Sequence, residues 1–173
     1  MKILIIGYGK MGKAVEQVAF TKHHEVIAVI DSEDDWKSKS QEIRKAEVAI
    51  EFSMPQAVAA NLFRCFDLDI PVVTGTTAWE DSLPKVKSRC ISESKSLLVA
   101  SNFSIGMNIF FRLNRHLATM MDSFDQYKPH IEETHHVKKL DKPSGTAKQL
   151  AGDMVNILNR INNWKTDSVG EAG

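Results

Sequence analysis

A short segment between positions 135 and 146 carries the densest set of chemically capable side chains in this sequence. Its members are His135, His136, Lys138, Lys139, Ser144, Gly145 and Thr146. A histidine can donate a proton near neutral pH, and neighbouring lysines supply positive charge beside it. Adjacent histidines on a strand would point to opposite faces and no cysteine lies near, so we predict no metal site here.

The triplet Ser144-Gly145-Thr146 follows Pro143 and is placed to open a helix. The unpaired amides and the positive dipole end of a helix start suit a carboxylate. Together with the histidines and lysines, this helix start predicts a pocket for an anionic, carboxylated substrate with a proton donor. The alternative is an amphipathic surface strand without a ligand.

A second cluster lies near the N-terminus, where the residues from 7 to 12 fit the pattern G-x-G-x-x-G. They are Gly7, Tyr8, Gly9, Lys10, Met11 and Gly12. The turn follows an apolar run, precedes a helical pattern, and is followed 19 residues later by Asp31. In that context Gly7 allows the tight turn, Gly9 a close approach of pyrophosphate, and Gly12 close helix packing. We predict a dinucleotide site, with a ligand-free glycine turn as the alternative.

The residues around Asp31 bear on which dinucleotide binds. Its carboxylate can accept hydrogen bonds from ribose hydroxyls but repels a 2′-phosphate, and Ser32 beside it offers no positive charge. Lys10 could still reach a phosphate. The sequence therefore favours NADH over NADPH.

Two further segments follow predicted strands and belong to the same sheet edge. Gly75-Thr76-Thr77 comes after the fourth strand and Asn102-Phe103 after the fifth. Ligands of parallel sheets sit outside the carboxyl ends of the strands, so these segments could line a nicotinamide pocket. An ordinary loop, and a cap of the next helix by Asn102, are the alternatives.

The elements that position these residues are predicted from short apolar runs that alternate with helical patterns. The predicted strands are Ile3–Ile6, Val26–Ile30, Val48–Phe52, Pro71–Val73 and Leu97–Val99. Such alternation indicates an α/β fold, a parallel sheet with helices on both faces.

The pattern changes after about residue 100. Ile105, Ile109, Leu113, Leu117 and Met121 recur every four residues, predicting a helix with one apolar stripe. A polar strand over Gln126–Val137 and a last helix from Ser144 follow. We therefore predict a dinucleotide-binding domain over 1–104 and a second domain of α+β class over 105–173.

Composition excludes several classes of protein. The 173 residues contain 22 basic and 22 acidic side chains, so no basic excess points to nucleic acid. No apolar stretch approaches about 18 residues, which predicts no membrane span. Cys65 and Cys90 form no metal spacing, and we expect reduced thiols in a cytoplasmic protein.

The segment from Glu132 to Ala147 resembles the dihydrodipicolinate reductase signature E-x-H-H-x-x-K-x-D-x-P-S-G-T-A. The glycine turn, Gly75-Thr76-Thr77 and the run from Ala100 to Gly106 match the same family in order. The resemblance implies a Rossmann-type domain followed by a substrate-binding and oligomerisation domain. It also implies NAD(P)H-dependent reduction of 4-hydroxy-tetrahydrodipicolinate in the diaminopimelate route to lysine.

The resemblance also implies residue roles. His135 would be the acid, and Lys139 would bind substrate and assist proton transfer. His136, Ser144, Gly145 and Thr146 would contact a dicarboxylate substrate. The cofactor would contact the glycine turn, Asp31, Gly75, Thr76, Thr77, Ala100, Ser101, Asn102 and Phe103. Family members are usually homotetramers, which is the expectation for the full-length protein.

Three differences from the family pattern affect these expectations. Ala78 stands where the pattern has a fourth-position glycine, which we interpret as a change of packing. Ser32 replaces a basic residue that favours NADPH. Family chains continue well beyond Gly173, so the second domain is expected to be incomplete. Two alternative functions remain open: a dinucleotide-binding fragment without catalysis, and another oxidoreductase of the same fold. An aldehyde-type dehydrogenase would need a nucleophilic cysteine in its site, and both cysteines fall in predicted helices.

Overall fold

Five short apolar runs form the strands of one parallel sheet in a computed structural model of the chain, which describes residues 1–135 and 142–166. The strands are β1 Lys2–Ile6, β2 Glu25–Ile30, β3 Val48–Glu51, β4 Val72–Thr74 and β5 Leu97–Val99. Their order across the sheet is β2-β1-β3-β4-β5, with every neighbouring pair parallel. The predicted parallel sheet is confirmed.

The two faces of this sheet are covered by different helices. Ile3 and Ile5 pack with Ala19 of helix α1, Lys10–Thr21, on one face. Leu4 and Ile6 belong to a larger cluster on the other face, with Leu62 and Phe66 of helix α4, Pro55–Asp67. Fully burying a side chain of this size contributes about 1.5–3 kcal/mol, so these clusters dominate the stability of the sheet.

The remaining helices of this part of the chain are short. They are α2 Glu33–Ser38, α3 Ser40–Ile43, a 3₁₀ turn over Glu80–Ser82 and α5 Leu83–Ser92. Ile43 of α3 and Val86 of α5 join the larger cluster. Leu98 of β5 is 55% exposed, so helices cover this edge of the sheet less completely than its centre.

The chain divides into two compact units, Met1–Phe103 and Ser104–Gly173. In the second unit, helix α6, Ile105–Met121, packs against helix α7, Gly145–Ile157. The buried Asn114 side chain donates to the Leu150 carbonyl (3.1 Å), and Arg115 pairs with Asp153 (2.9 Å). None of the helices in the described ranges is long and apolar enough to cross a membrane.

The predicted helix that contains Ile105 to Met121 is confirmed as α6, but the sequence does not show which of its faces packs. The predicted apolar stripe of α6 faces away from α7, because Ile105 is 79% and Leu113 59% exposed while Phe111 and Ala118 are buried. Residues four apart turn about 40° further around a helix at each step, so five of them cannot share one narrow face. The face that packs is defined by other residues.

The predicted strand over Gln126–Val137 is also absent as far as it is described, because residues 127–135 form no regular structure. A strand is stabilised by hydrogen bonds to a neighbour. The described part of the second unit contains no other strand to provide them.

Candidate functional site

The carboxyl ends of the five strands are aligned in one row. Ile6 is in register with Ile30 and with Glu51, Glu51 with Thr74, and Thr74 with Val99. The hydrogen bonds continue one residue further. They join Gly7 N–H to the Ile30 carbonyl (2.7 Å), Phe52 N–H to Ile6 (2.8 Å), Gly75 N–H to Glu51 (3.0 Å) and Ala100 N–H to Thr74 (3.2 Å). The predicted cofactor-contacting segments therefore leave the sheet side by side at one edge.

The glycine turn after β1 requires glycine at two of its positions. Gly7 has φ +87°, and a Cβ there would lie 2.2 Å from the Phe52 carbonyl oxygen. A Cβ on Gly12 would lie 2.1 Å from the Gly7 oxygen, so α1 can approach the turn only without a side chain. Gly9 differs, because a Cβ there would meet nothing within 4 Å. Space is open at Gly9, where an approaching phosphate needs it.

Helix α1 begins directly after Gly9, with Lys10 and Met11 exposed in its first turn. That first turn contains no acidic residue. A helix start without its own carboxylate leaves the amide donors and the positive dipole end available to an anion.

Asp31 is tied to the glycine turn. Its Oδ1 accepts a hydrogen bond from the Tyr8 backbone N–H at 2.8 Å. The Asp31 and Ser32 backbone amides both donate to Asp35 Oδ2, at 3.0 and 2.9 Å, which closes the N-terminus of α2. The Tyr8 hydroxyl donates to Glu16, and this hydrogen bond raises the pKa of Tyr8. The Asp31 carboxylate thus lies beside the glycine turn, the position that a ribose-binding acid requires in this kind of site.

Phe52 connects three of the loops, and the sequence interpretation missed it. Its carbonyl lies against Gly7, and a Cβ on Gly75 would come within 2.1 Å of its ring. The ring also makes an edge contact with Phe103, with centroids 6.2 Å apart. The position directly after β3 was the available signal.

A buried carboxylate stands at the end of β3, and this residue was also missed. Glu51 is 0% exposed; its Oε1 accepts from the Ser53 N–H (3.0 Å) and hydroxyl, and Oε2 accepts from the Thr74 hydroxyl. Asn61 donates to Ser53 at 3.2 Å. Burial, and secondarily the nearby Glu51, raise the pKa of Cys65 to about 12, which makes that cysteine a poor nucleophile.

The loop after β4 contains an unusual backbone and a polar atom without a protein partner. Trp79, 7% exposed, donates from its indole Nε1 to the Thr76 carbonyl at 2.8 Å. Thr76 Oγ1 is buried and has no hydrogen-bond partner among the described residues. Ala78 has φ +62°, in the left-handed region. A glycine, the family residue at this position, adopts this conformation readily, so the difference at Ala78 affects the backbone as well as the packing.

Thr77 and Ser101 are exposed beside this loop, and Ala100 and Asn102 are half-buried. The open space at Gly9, the free helix start, Asp31 and the buried Thr76 hydroxyl fit a dinucleotide along this edge. We call these residues of the first unit the cofactor edge: the glycine turn, Asp31, Phe52, 75–77 and 100–103.

In the second unit, Glu133 joins the predicted acid to the start of α7. Its Oε1 accepts from the Ser144 N–H (2.8 Å), and its Oε2 accepts from the Ser144 hydroxyl and lies 2.8 Å from His135 Nε2. These hydrogen bonds, the Ser144 hydroxyl first, lower the pKa of Glu133 to about 2. Ser144 in turn caps α7 by accepting from the Ala147 N–H at 3.0 Å.

Of the other residues predicted for the substrate site, the structure describes Gly145 and Thr146 but not His136 and Lys139. Gly145 is exposed at the first position of α7, where a Cβ would meet nothing within 4 Å, and Thr146 is half-buried beside it. His136 and Lys139 lie outside the described residues.

The parallel sheet, the glycine turn and Asp31 define a dinucleotide-binding protein of the Rossmann class, one that uses NAD(P)H. Two family models match this chain: dihydrodipicolinate reductase, N-terminus, over residues 1–103, and dihydrodipicolinate reductase, C-terminus, over residues 106–171. The chain belongs to the dihydrodipicolinate reductase family.

Similar proteins agree with this assignment. A 4-hydroxy-tetrahydrodipicolinate reductase of Christiangramia forsetii is 40% identical over 99% of this chain and 71% of its own length. One from Staphylococcus aureus is 31% identical over 93% of this chain and 67% of its own. The solved dipicolinate-bound dihydrodipicolinate reductase from Paenisporosarcina sp. matches with a TM-score of 0.68 and 25% identity, covering 99% of this chain and 72% of that one.

Proposed function

We propose that this chain is a 4-hydroxy-tetrahydrodipicolinate reductase of the diaminopimelate route to lysine. The observation that carries the proposal is the match at 40% identity over 99% of the chain to a reductase of that name. The reaction consumes the hydroxylated substrate, one reduced dinucleotide and one proton. It releases tetrahydrodipicolinate, the oxidised dinucleotide and water.

The first unit binds the cofactor in this proposal. The start of α1 and the open backbone at Gly9 hold the pyrophosphate, and Asp31 accepts from ribose hydroxyls. The segments 75–77 and 100–103 line the nicotinamide, with Phe52 packed between them. The nicotinamide, when bound, supplies a hydride.

The second unit binds and protonates the substrate. The first amides of α7, at Gly145 and Thr146, suit a carboxylate, and the solved relative from Paenisporosarcina sp. is bound to a dicarboxylate, dipicolinate. His135 delivers the proton, and Ser144 fixes the helix start. We also propose roles for His136 and Lys139 in substrate binding, with Lys139 assisting proton transfer.

NADH is the proposed preferred cofactor. Asp31 already accepts from Tyr8, which holds its negative charge beside the turn, and no basic side chain follows it at Ser32. A negative charge there opposes a 2′-phosphate. A cytoplasmic homotetramer remains the prediction for the assembled enzyme.

Turnover tests the function directly. We expect NADH oxidation that depends on 4-hydroxy-tetrahydrodipicolinate, generated in the assay from pyruvate and aspartate semialdehyde by the synthase that condenses them. His135→Gln should lower kcat by roughly 10²- to 10⁴-fold, the usual contribution of a general acid, with unchanged NADH affinity.

His130→Gln is the matched control, because His130 is an exposed histidine of the same segment with no proposed role. It should retain activity. Equal losses of turnover and NADH binding in His135→Gln would make His135 structural. Binding of NADH without turnover in the unchanged chain would leave only a dinucleotide-binding function.

Replacing the Asp31 carboxylate tests the cofactor preference. Asp31→Asn keeps an acceptor for the Tyr8 N–H but removes the charge, so NADPH affinity should rise relative to NADH by roughly tenfold. Asp34→Asn removes an equal charge from the exposed side of α2 and should change the ratio little. Fluorescence titration measures both affinities, and an unchanged ratio in Asp31→Asn would remove this residue from the ribose site.

A further inference from the structure

The Glu133 carboxylate makes three polar contacts, two with Ser144 and one with His135. Ser144 approaches both of its oxygens, through the backbone N–H and the hydroxyl, while His135 Nε2 approaches Oε2 at 2.8 Å. The side chains are 28% exposed for Glu133 and 38% for His135. A single side chain therefore joins the histidine to the N-cap of α7.

The ionisation of Glu133 determines which histidine nitrogen carries hydrogen. With its pKa held at about 2, this carboxylate is ionised at neutral pH and can only accept hydrogen bonds. The nitrogen facing it, Nε2, must then be the donor. In the neutral ring the proton sits on Nε2, and Nδ1 is the nitrogen that gains and loses a proton.

We propose that Glu133 is a positioning residue that holds His135 as the Nε2–H tautomer, so that the proton given to the substrate comes from Nδ1. The inference rests on the proposed function, in which His135 is the acid. In the charged ring both nitrogens carry hydrogen. The Nδ1–H bond breaks on transfer, the substrate gains that proton, and the neutral ring retains Nε2–H on Glu133 until solvent reprotonates Nδ1.

The same carboxylate also fixes the position of the ring. Ser144 is 5% exposed and caps α7, so its two hydrogen bonds anchor Glu133 to a rigid helix start. His135 belongs to residues 127–135, which form no helix or strand, so this stretch gives the ring no regular backbone framework. The anchor is Ser144 at the start of α7, eleven residues after Glu133.

Glu133→Gln makes a sharp test because an amide is not symmetric. Its carbonyl must still accept from the Ser144 backbone N–H, which cannot reverse its role. The amide NH₂ then faces His135 Nε2 as a donor. We expect the neutral ring to switch to the Nδ1–H tautomer. Nδ1 then already carries hydrogen, so the neutral ring can no longer take up at Nδ1 the proton that is delivered to the substrate.

The experiment combines two readouts on the full chain. Two-bond ¹H–¹⁵N correlation on histidine-labelled protein, at alkaline pH where imidazoles are neutral, reports the tautomer of His135. Steady-state kinetics report kcat and KM. We expect Nε2–H in the unchanged protein, Nδ1–H in Glu133→Gln, and a fall in kcat on the order of 10²-fold with NADH affinity unchanged.

Two variants serve as comparisons. Glu133→Asp keeps the charge and should restore the Nε2–H tautomer and most of the lost kcat. Glu132→Gln removes the neighbouring exposed carboxylate and should leave the tautomer and kcat unchanged.

Four outcomes would overturn the proposal: an unchanged tautomer in Glu133→Gln, a switched tautomer with unchanged kcat, a loss confined to KM, or no rescue by Glu133→Asp. Absence of turnover in the unchanged protein would refute the proposed function instead. The tautomer in the unchanged protein and in Glu133→Gln would then still decide whether Glu133 holds His135 through Nε2.

Discussion

Ala78 holds a backbone conformation that costs an alanine free energy. Its φ of +62° places the Cβ close to the following carbonyl oxygen, at a cost of roughly 1–2 kcal/mol. The residue follows Gly75, Thr76 and Thr77, the segment proposed to line the nicotinamide. The strain is therefore stored in a loop of the cofactor edge.

Ala78→Gly should raise the free energy of unfolding by about 0.5–1 kcal/mol. Relief of the left-handed strain outweighs the greater freedom that glycine gains in the unfolded chain. Urea unfolding followed by circular dichroism measures the change. Ala60→Gly, on the exposed side of α4, should instead lose about 1 kcal/mol, as glycine does inside a helix. A loss in both variants would contradict the strain argument.

Single residues were predictable from sequence where their requirement is local. Gly7 and Asp31 are recognisable because a tight turn and an acid after the second strand are read from spacing alone. Phe52 and Glu51 were not, because their importance depends on which strands become neighbours. Their position at the end of β3 indicates the sheet edge, but it does not show which loops the two side chains will contact.

At the scale of elements, the start of α7 depends on a carboxylate brought from outside the helix. Glu133 supplies the acceptor for the Ser144 N–H and hydroxyl, and these bonds hold its pKa near 2 against an ordinary value of 4.5. When folding lowers the pKa of a carboxyl group, that group stabilises the folded state at every pH above the pKa it has in the unfolded chain. That stability is lost as the pH falls through the folded value.

The second unit should therefore lose stability between pH of about 4.5 and about 2 through Glu133. Amide hydrogen exchange of α7 across this range measures the loss. Glu133→Gln cannot titrate, so its α7 protection should change less with pH over the same range. Parallel pH dependences in the two proteins would show that other carboxyls account for acid unfolding.

The elements of the first unit were predictable because each is specified by a pattern within its own short segment. Five apolar runs and the glycine turn are separate signals, and all five strands formed where these signals fall. The second unit was harder. A strand over 126–137 depends on a partner, and the buried face of α6 depends on where α7 packs, and neither can be read from the segment itself.

At the scale of the whole molecule, the first unit contains everything that its sheet requires. Both apolar clusters, from Ile3 to Leu97, lie within residues 1–103, as do all the residues of the cofactor edge. A unit that buries its own core can fold without the rest of the chain.

We therefore expect a fragment of residues 1–103 to fold and to bind NADH as tightly as the whole chain does. Circular dichroism and fluorescence titration measure the two properties. The same fragment with Gly9→Val should fold but not bind, because the new side chain occupies only the open space beside the turn. A fragment that folds without binding would mean that residues beyond 103 contribute to the cofactor site.

The hydrogen bond from Trp79 to Thr76 also makes Trp79 an intrinsic fluorescence probe of this loop. The indole is shielded from water and bonded to the backbone of a loop proposed to touch the nicotinamide, whose reduced form absorbs light where tryptophan emits. The other tryptophans, Trp36 and Trp164, can be replaced by phenylalanine to leave a single emitter. Occupancy by reduced dinucleotide could then be followed by quenching of that one residue, without any added label.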